Sequence, residues 1–369
     1  MSSPLPPGER LVRCLTGGDV DRVPFGVNLG WVPWGDTEAR WKEQGAPADL
    51  RLAAYFQYDL GFLCPDRIEC GMFPHFEEKI LGENDEEIVA QDWRGVVCRS
   101  RKDGNSIPHF EGWPVATADD WERVKRERLR IEDADRRVAA QDWDAFRTRL
   151  RATGEAVQVG NFPWGVFGTP RDILGLETLM VSFYEQPEVV RDIMEHMTSL
   201  WLAVWERVAA HVRIDHIHIW EDMSGKHGSL VSPAMVGEFM MPCYDRIRDF
   251  AAAHDVRVMS VDTDGDCSQL VEIMTRHGVN MFFPFEVQAG NDILAYRSRY
   301  PELGIQCGLD KRCLAGTAED VDREVARCEA MLAHGRYVPG FDHLIPPDAR
   351  WERFEQAASA IRALCLRPR

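Results

Sequence analysis

The stretch HIHIWEDMSGKHGSLVSPAMVGEFMMPCYDRIRDFAAAHDVRVMSVDTDGD, residues 216–266, holds one full repeat of an architecture. It opens on a short apolar run, 216–220, that stops at two acids, Glu221 and Asp222. A helix follows: Ser232 suits an N-cap, Pro233 suits the first turn, and Val236, Phe239, Met240 and Ile247 recur at helical steps along one buried face. A second apolar run, 256–261, then stops at Asp262-Thr263-Asp264-Gly265-Asp266. Strand, crossover helix and strand in this order read as a parallel βαβ unit, with acids at the C-terminal end of both strands.

The alternation continues in both directions. Further candidate strands at 23–28, 59–63, 157–161, 280–286, 304–308 and 336–340 bring the number to about eight. Between them, 187–211 carries Val190, Ile193, Met197, Trp201, Val204 and Val208 as one stripe. Asp266 can cap a helix running through Met274 and ended by Gly278, and two more helices fit 318–333 and 347–366. This pattern predicts an α/β fold, a (β/α)8 TIM barrel, as a single domain over residues 1–369. It has an N-terminal extension and an insertion after the second strand, at about 68–151. The first part of the insertion alternates like a β-ribbon (Ile80, Ile88 to Ala90, Val96 to Cys98), and 116–151 is charged and helical.

Composition narrows the function classes. Hydrophobic residues make up 45 %, ample for a large core. The net charge of −17 opposes nucleic acid and anionic membrane surfaces, which reward clustered Lys and Arg. No apolar run nears the roughly 20 residues of a membrane span, and no apolar signal core follows residues 1–9, so a cytoplasmic protein is expected. Ten cysteines contain no C-x-x-C pair, which favours reduced, buried thiols over a zinc ribbon or redox motif.

Working residues of such barrels follow the strand ends. Those positions hold Asn28 with Trp31 and Trp34, Asn161 leading to Trp164, Glu221 and Asp222, Asp262 and Asp264, Glu286, Asp310 and Lys311, and Asp342 and His343. Many carboxylates at one mouth repel strongly at low dielectric, so protons, a cation or a metal should share the site. Each position also has a plainer use. Asp262-x-Asp264-Gly265 suits a helix-capping loop, His343 a structural histidine, the tryptophans core or lid packing, and Lys311 neutralisation of its neighbours.

Several segments resemble the uroporphyrinogen decarboxylase superfamily: 9–25 (ERLVRCLTGGDVDRVPF), 219–223 (IWEDM), 232–241 (SPAMVGEFMM), 262–266 (DTDGD), 308–311 (GLDK) and 341–347 (FDHLIPP). They span nearly the whole chain in order. The resemblance implies a TIM barrel and one of two chemistries, tetrapyrrole decarboxylation or methyl transfer between corrinoid proteins and thiols or methyl donors. The decarboxylases grip their polyanionic substrate with an Arg-rich segment after the first strand. Residues 28–34 here read NLGWVPW, without Arg, and an acid-lined mouth mismatches such a substrate.

Thiol-directed methyltransferases of the superfamily hold zinc with a His-x-Cys pair and a later Cys, at positions that look like Asp262-x-Asp264 and His343. The resemblance therefore implies a methyltransferase taking a methyl group from a small methoxy-type donor to a corrinoid on a separate protein. Asp262, Asp264, His343 and Glu286 would hold a divalent metal such as zinc, and Glu221 or Asp222 would supply a proton. Asp310 and Lys311 complete the candidate catalytic set, with Asn28, Trp31, Trp34, Asn161 and Trp164 as substrate contacts. Two alternatives stand beside it. One is a metal-free decarboxylase or lyase with Asp262 or Asp222 as proton donor; the other is a non-catalytic corrinoid- or tetrapyrrole-binding barrel. The Met- and Trp-rich 194–208 helix fits either a core or a homodimer surface.

Overall fold

The computed structural model describes residues 4–104 and 106–369. Among them a seven-stranded, all-parallel sheet runs in sequence order: β1 (Phe62–Leu63), β2 (Ala156–Val159), β3 (His216–Trp220), β4 (Val258–Thr263), β5 (Met281–Pro284), β6 (Gly304–Gln306) and β7 (Tyr337–Val338). Each connection is a crossover through the helical layer, as parallel pairing demands.

The sheet curls until one segment touches both of its edges. Phe25 O accepts from Asp59 N at 2.8 Å beside β1, and Val32 O accepts from Ile345 N at 2.9 Å beyond β7. Pro33 and Ile345 form an isolated parallel bridge. Residues 23–28, expected as a strand, form none. Pro24 removes a ladder donor and Gly26 turns at φ +77°, so the segment spans the gap as irregular chain. Close approach is possible because Gly30 faces the last strand end: a Cβ there would stand 2.2 Å from Phe341 O.

The helices follow the sequence pattern. Pro187–Ala209 buries Val190, Ile193, Met197, Trp201, Val204 and Val208, together with Met194 and Trp205. The Met- and Trp-rich stretch is therefore core. Ser232 Oγ accepts from Met235 N at 3.3 Å, and a π-helical turn at Val236–Met240 leads into Met241–Ala253. Thr317 and Asp320 close a capping box on Ala318–His334, and Trp351–Cys365 follows β7 as the last helix.

Between β1 and β2 lies the insertion: an antiparallel sheet of Lys79–Glu83, Glu87–Gln91, Val97–Arg101 and His109–Gly112, then helices Ala118–Arg128, Ala134–Val138 and Trp143–Thr153. Arg94 fixes it to the helical layer of the parallel sheet, with Nη1 2.7 Å from both carboxylate oxygens of Asp172 in helix Gly168–Leu174. All ten cysteines are free thiols, and no helix among the described residues is long and apolar enough to cross a membrane.

Candidate active site

The strand ends gather the acids as the sequence suggests, but they give them different environments. Glu221 is fully buried and surrounded by donors. Its carboxylate accepts from Val166 N at 3.1 Å, Phe167 N at 2.6 Å, Gly168 N at 3.0 Å and the Tyr244 hydroxyl at 2.5 Å. Those amides are orphan donors at the start of helix Gly168–Leu174, so Glu221 caps that helix from another strand. Burial pushes its carboxyl up to about 7, against the pull of Tyr244 and the three amides. Glu221, the expected proton donor, thus has both carboxylate oxygens engaged and no exposed surface.

Asp222 leaves β3 in the left-handed region, at φ +43°, and pairs with the guanidinium of Arg171, which also donates to Asp222 O at 2.6 Å. Asp262, the next strand's acid, has no such donors. Its nearest polar partner is His218, with Nε2 3.7 Å from Oδ2. Burial, and then the charges of Asp264 and Asp222, push the Asp262 carboxyl well above the usual carboxylate range. Asp264 rises to about 7, through burial and then the Glu286 and Asp222 charges, with Lys311 and Arg171 opposing. Two neighbouring carboxyls are therefore held toward the protonated form.

Behind Asp262 runs a polar row that the sequence reading missed. His216, His218 and Trp220 alternate with Ile217 and Ile219, so they share one face of β3, as do Ser260 and Asp262 on β4. His218 Nδ1 lies 3.1 Å from Ser260 Oγ, and Ser260 Oγ lies 2.6 Å from His216 Nε2. Burial lowers His218 to about 4 and His216 further, with His218 adding to the effect, so both rings are neutral. Ser260 Oγ can donate to one ring and accept from the other, so the row can run in either direction, with the histidine tautomers deciding which. The signal was the polar alternation within HIHIW.

The other expected residues separate into two groups. Lys311, half-buried, makes no ion pair within 4 Å among the described residues, yet its charge acts on Asp264, Asp342 and His343. His343 Nε2 is 3.7 Å from Asp264 Oδ2, and burial followed by Lys311 lowers its pKa. These belong to the cluster. Asp310 instead binds Arg312, 2.6 Å away, and caps the short helix Lys311–Ala315. Asp342 is buried and accepts from Val287 N at 2.8 Å and Lys311 N at 3.2 Å, tying two strand ends together.

Most of the expected substrate contacts are engaged elsewhere. Trp31 is a core residue, donating to Pro339 O at 2.9 Å and packed edge-on to Phe25 and Phe341. Asn28 Nδ2 donates to the same carbonyl at 3.1 Å. Trp164 lies across Gly71 and meets Trp93 at 5.9 Å, bracing the insertion. Trp34 is half-buried and Asn161 is exposed at the end of β2.

The expected metal set does not form a ready site. Asp262 and Asp264 share the end of β4 while Glu286 and His343 follow β5 and β7, and one Glu286 oxygen accepts from Gly265 N at 2.9 Å. Among the described residues no three His, Cys, Asp or Glu side chains converge so as to hold a metal ion. In this arrangement protons and the Lys311 and Arg171 cations offset the clustered charge.

A family model described as uroporphyrinogen decarboxylase (URO-D) matches residues 100–364. A solved methyltransferase from Methanosarcina mazei shares the fold over 97 % of this chain and 98 % of its own, with a TM-score of 0.58 and 16 % sequence identity. No curated protein matches the chain in sequence.

Proposed function

This chain belongs to the uroporphyrinogen decarboxylase family, and within it we propose a methyltransferase that takes a methyl group from a small, uncharged methoxy-type donor. The observation that carries this reading is Asp262: a largely shielded carboxyl at a strand end, accepting no hydrogen bond among the described residues, and pushed toward the protonated form by burial and by Asp264 and Asp222. A protonated acid of this kind suits delivery of a proton to an oxygen as it departs. An uncharged ether enters an acid-lined mouth without repulsion, whereas a polycarboxylate does not.

The roles follow from position. The Asp262 O–H faces the donor oxygen and gives up its proton as the oxygen–methyl bond breaks. Lys311 and Arg171 act on the neighbouring Asp264 and so ease the repulsion that the carboxylate left behind would meet. His218 and Ser260 orient Asp262 from below. Glu221 holds helix Gly168–Leu174, and with it Arg171, in place. A corrinoid on a partner protein is the acceptor implied by the family resemblance, and when bound it supplies the nucleophile for the methyl carbon. The step is written without the zinc that the resemblance implies, since the four residues do not converge among the described residues.

A second reading rests on Lys311. Its ammonium has no carboxylate within 4 Å among the described residues, so it can take one carboxylate of a small acid substrate that then loses carbon dioxide. The carbanion formed would accept the Asp262 proton.

One assay separates the two. Purified protein is given methoxylated donors with free reduced cobalamin as acceptor and, separately, small carboxylic acids with detection of carbon dioxide. Methylcobalamin formation that is lost in Asp262→Asn is the expected result. Carbon dioxide release with no methyl transfer would replace this reading with the second.

A further inference from the structure

The four-stranded sheet of the insertion lacks a core of its own. No residue in its strands Lys79–Glu83, Glu87–Gln91, Val97–Arg101 and His109–Gly112 is buried, and the strands touch chiefly one another. A small sheet owes its stability to a covered apolar face, and here neither face is covered. The register sorts the side chains onto two unlike faces. Ile80 pairs with Ala90, Ala90 with Cys98 and Cys98 with Phe110, so these four form a row across one face, and Ile88 joins them two residues from Ala90. Ile80 is 60 % and Phe110 37 % exposed at the two ends of that row. The opposite face carries Lys79, Glu87, Arg99 and Arg101, with Arg99 bound to Glu87 and Glu111. On the apolar face the strands place one charged residue, Glu83, at the rim and bound to Lys102.

A single exposed isoleucine is ordinary, but an apolar row across four strands marks a contact surface. Its edge is guarded: the outer strand Lys79–Glu83 begins with a lysine and bulges between Ile80 and Gly82, which opposes strand addition. The face is therefore the surface that a partner meets. It has no run of charge to recognise an acidic or a basic protein. A two-fold contact needs a surface complementary to itself, and an apolar row meets that condition. Two copies of a chain with net charge −17 repel over most of their surface, and least here, where three basic and three acidic residues of the strands cancel.

From this arrangement we infer that a second copy of this chain packs on the apolar face of the insertion sheet, row against row, as a reversible homodimer. Strands about 4.8 Å apart with about 3.4 Å per residue give a face of roughly 19 by 17 Å. An area of that size belongs to weak, transient contacts, so association falls in the micromolar range. The inference goes beyond the methyl-transfer reading and holds whichever chemistry the mouth performs.

Sedimentation velocity of the full chain from about 1 µM to about 200 µM tests it. The mass should rise from the 42.1 kDa of one chain toward twice that value. Added salt should tighten the association, because it screens the repulsion between the two acidic copies. Ile80→Lys combined with Phe110→Lys should weaken association at least about a hundredfold and hold the chain monomeric over the range. Both side chains are exposed, so thermal unfolding should match the wild type, and Ile80→Ser with Phe110→Ser gives the same reading without added charge. Arg101→Ala, on the opposite face, and Tyr184→Lys, at an exposed apolar residue elsewhere, should leave association unchanged. A monomer at every concentration would overturn the inference. So would a dimer that survives both double variants, or one lost equally in Arg101→Ala or Tyr184→Lys.

Discussion

The ends of β3 and β4 lie side by side and each carries an acid shielded from solvent, yet the two acids have opposite surroundings. Glu221 collects three backbone amides and a tyrosine hydroxyl, all of which would be left unpaired without it. Asp262 collects no donor, only a neutral histidine 3.7 Å away and two like charges beyond it. Burial differs between them, with Glu221 fully enclosed and the Asp262 side chain 18 % exposed, but the hydrogen bonds differ more. What separates a structural acid from a reactive one is the donor count, because each hydrogen bond to a carboxylate commits an oxygen and favours the charged form.

This contrast can be broken most decisively by activity. Asp262→Asn should lower kcat by about 10²–10⁴-fold, the usual loss for a general acid, while the protein unfolds at the same denaturant concentration or higher. Full activity in that variant would erase the distinction. Stability should show the reverse asymmetry. Glu221→Ala strands four buried donors and should cost about 3 kcal/mol or more in urea unfolding, against little or no cost for Asp262→Ala. Equal losses would mean that both acids are structural.

A smaller effect sharpens the picture through pH. The carboxyl of Asp264 rises from 3.8 to about 7 in the folded protein. Between those values the folded state binds the proton and the unfolded state does not, so stability falls as pH rises through this window. Asp264→Asn should remove part of that fall when unfolding is measured from pH 4 to 7. An unchanged slope would show that Asp264 titrates as an ordinary carboxylate.

Much of this was legible in the sequence, and the rest failed for identifiable reasons. The run 216–220, the Ser232 cap and the helix stripes correspond to observed elements because they depend on local periodicity. Residues 23–28 have strand-like composition, but Pro24 and the turn at Gly26 defeat a ladder that only neighbouring strands could complete. The acids at the strand ends were visible as a group. Their division was not, since the donors to Glu221 come from 166–168 and from Tyr244, remote in sequence. The packing of the aromatics was hidden for the same reason: Trp31 and Trp164 sit near strand ends in sequence but pack into the core and against the insertion.

The most direct test of the account is the protonation state of Asp262 itself. In a carboxyl-selective carbon NMR titration of aspartate-labelled protein, the Asp262 signal is assigned by its absence from Asp262→Asn. The account predicts that this carboxyl stays protonated well above the range in which exposed aspartates ionise. A signal that titrates with them, near 3.8, would contradict it.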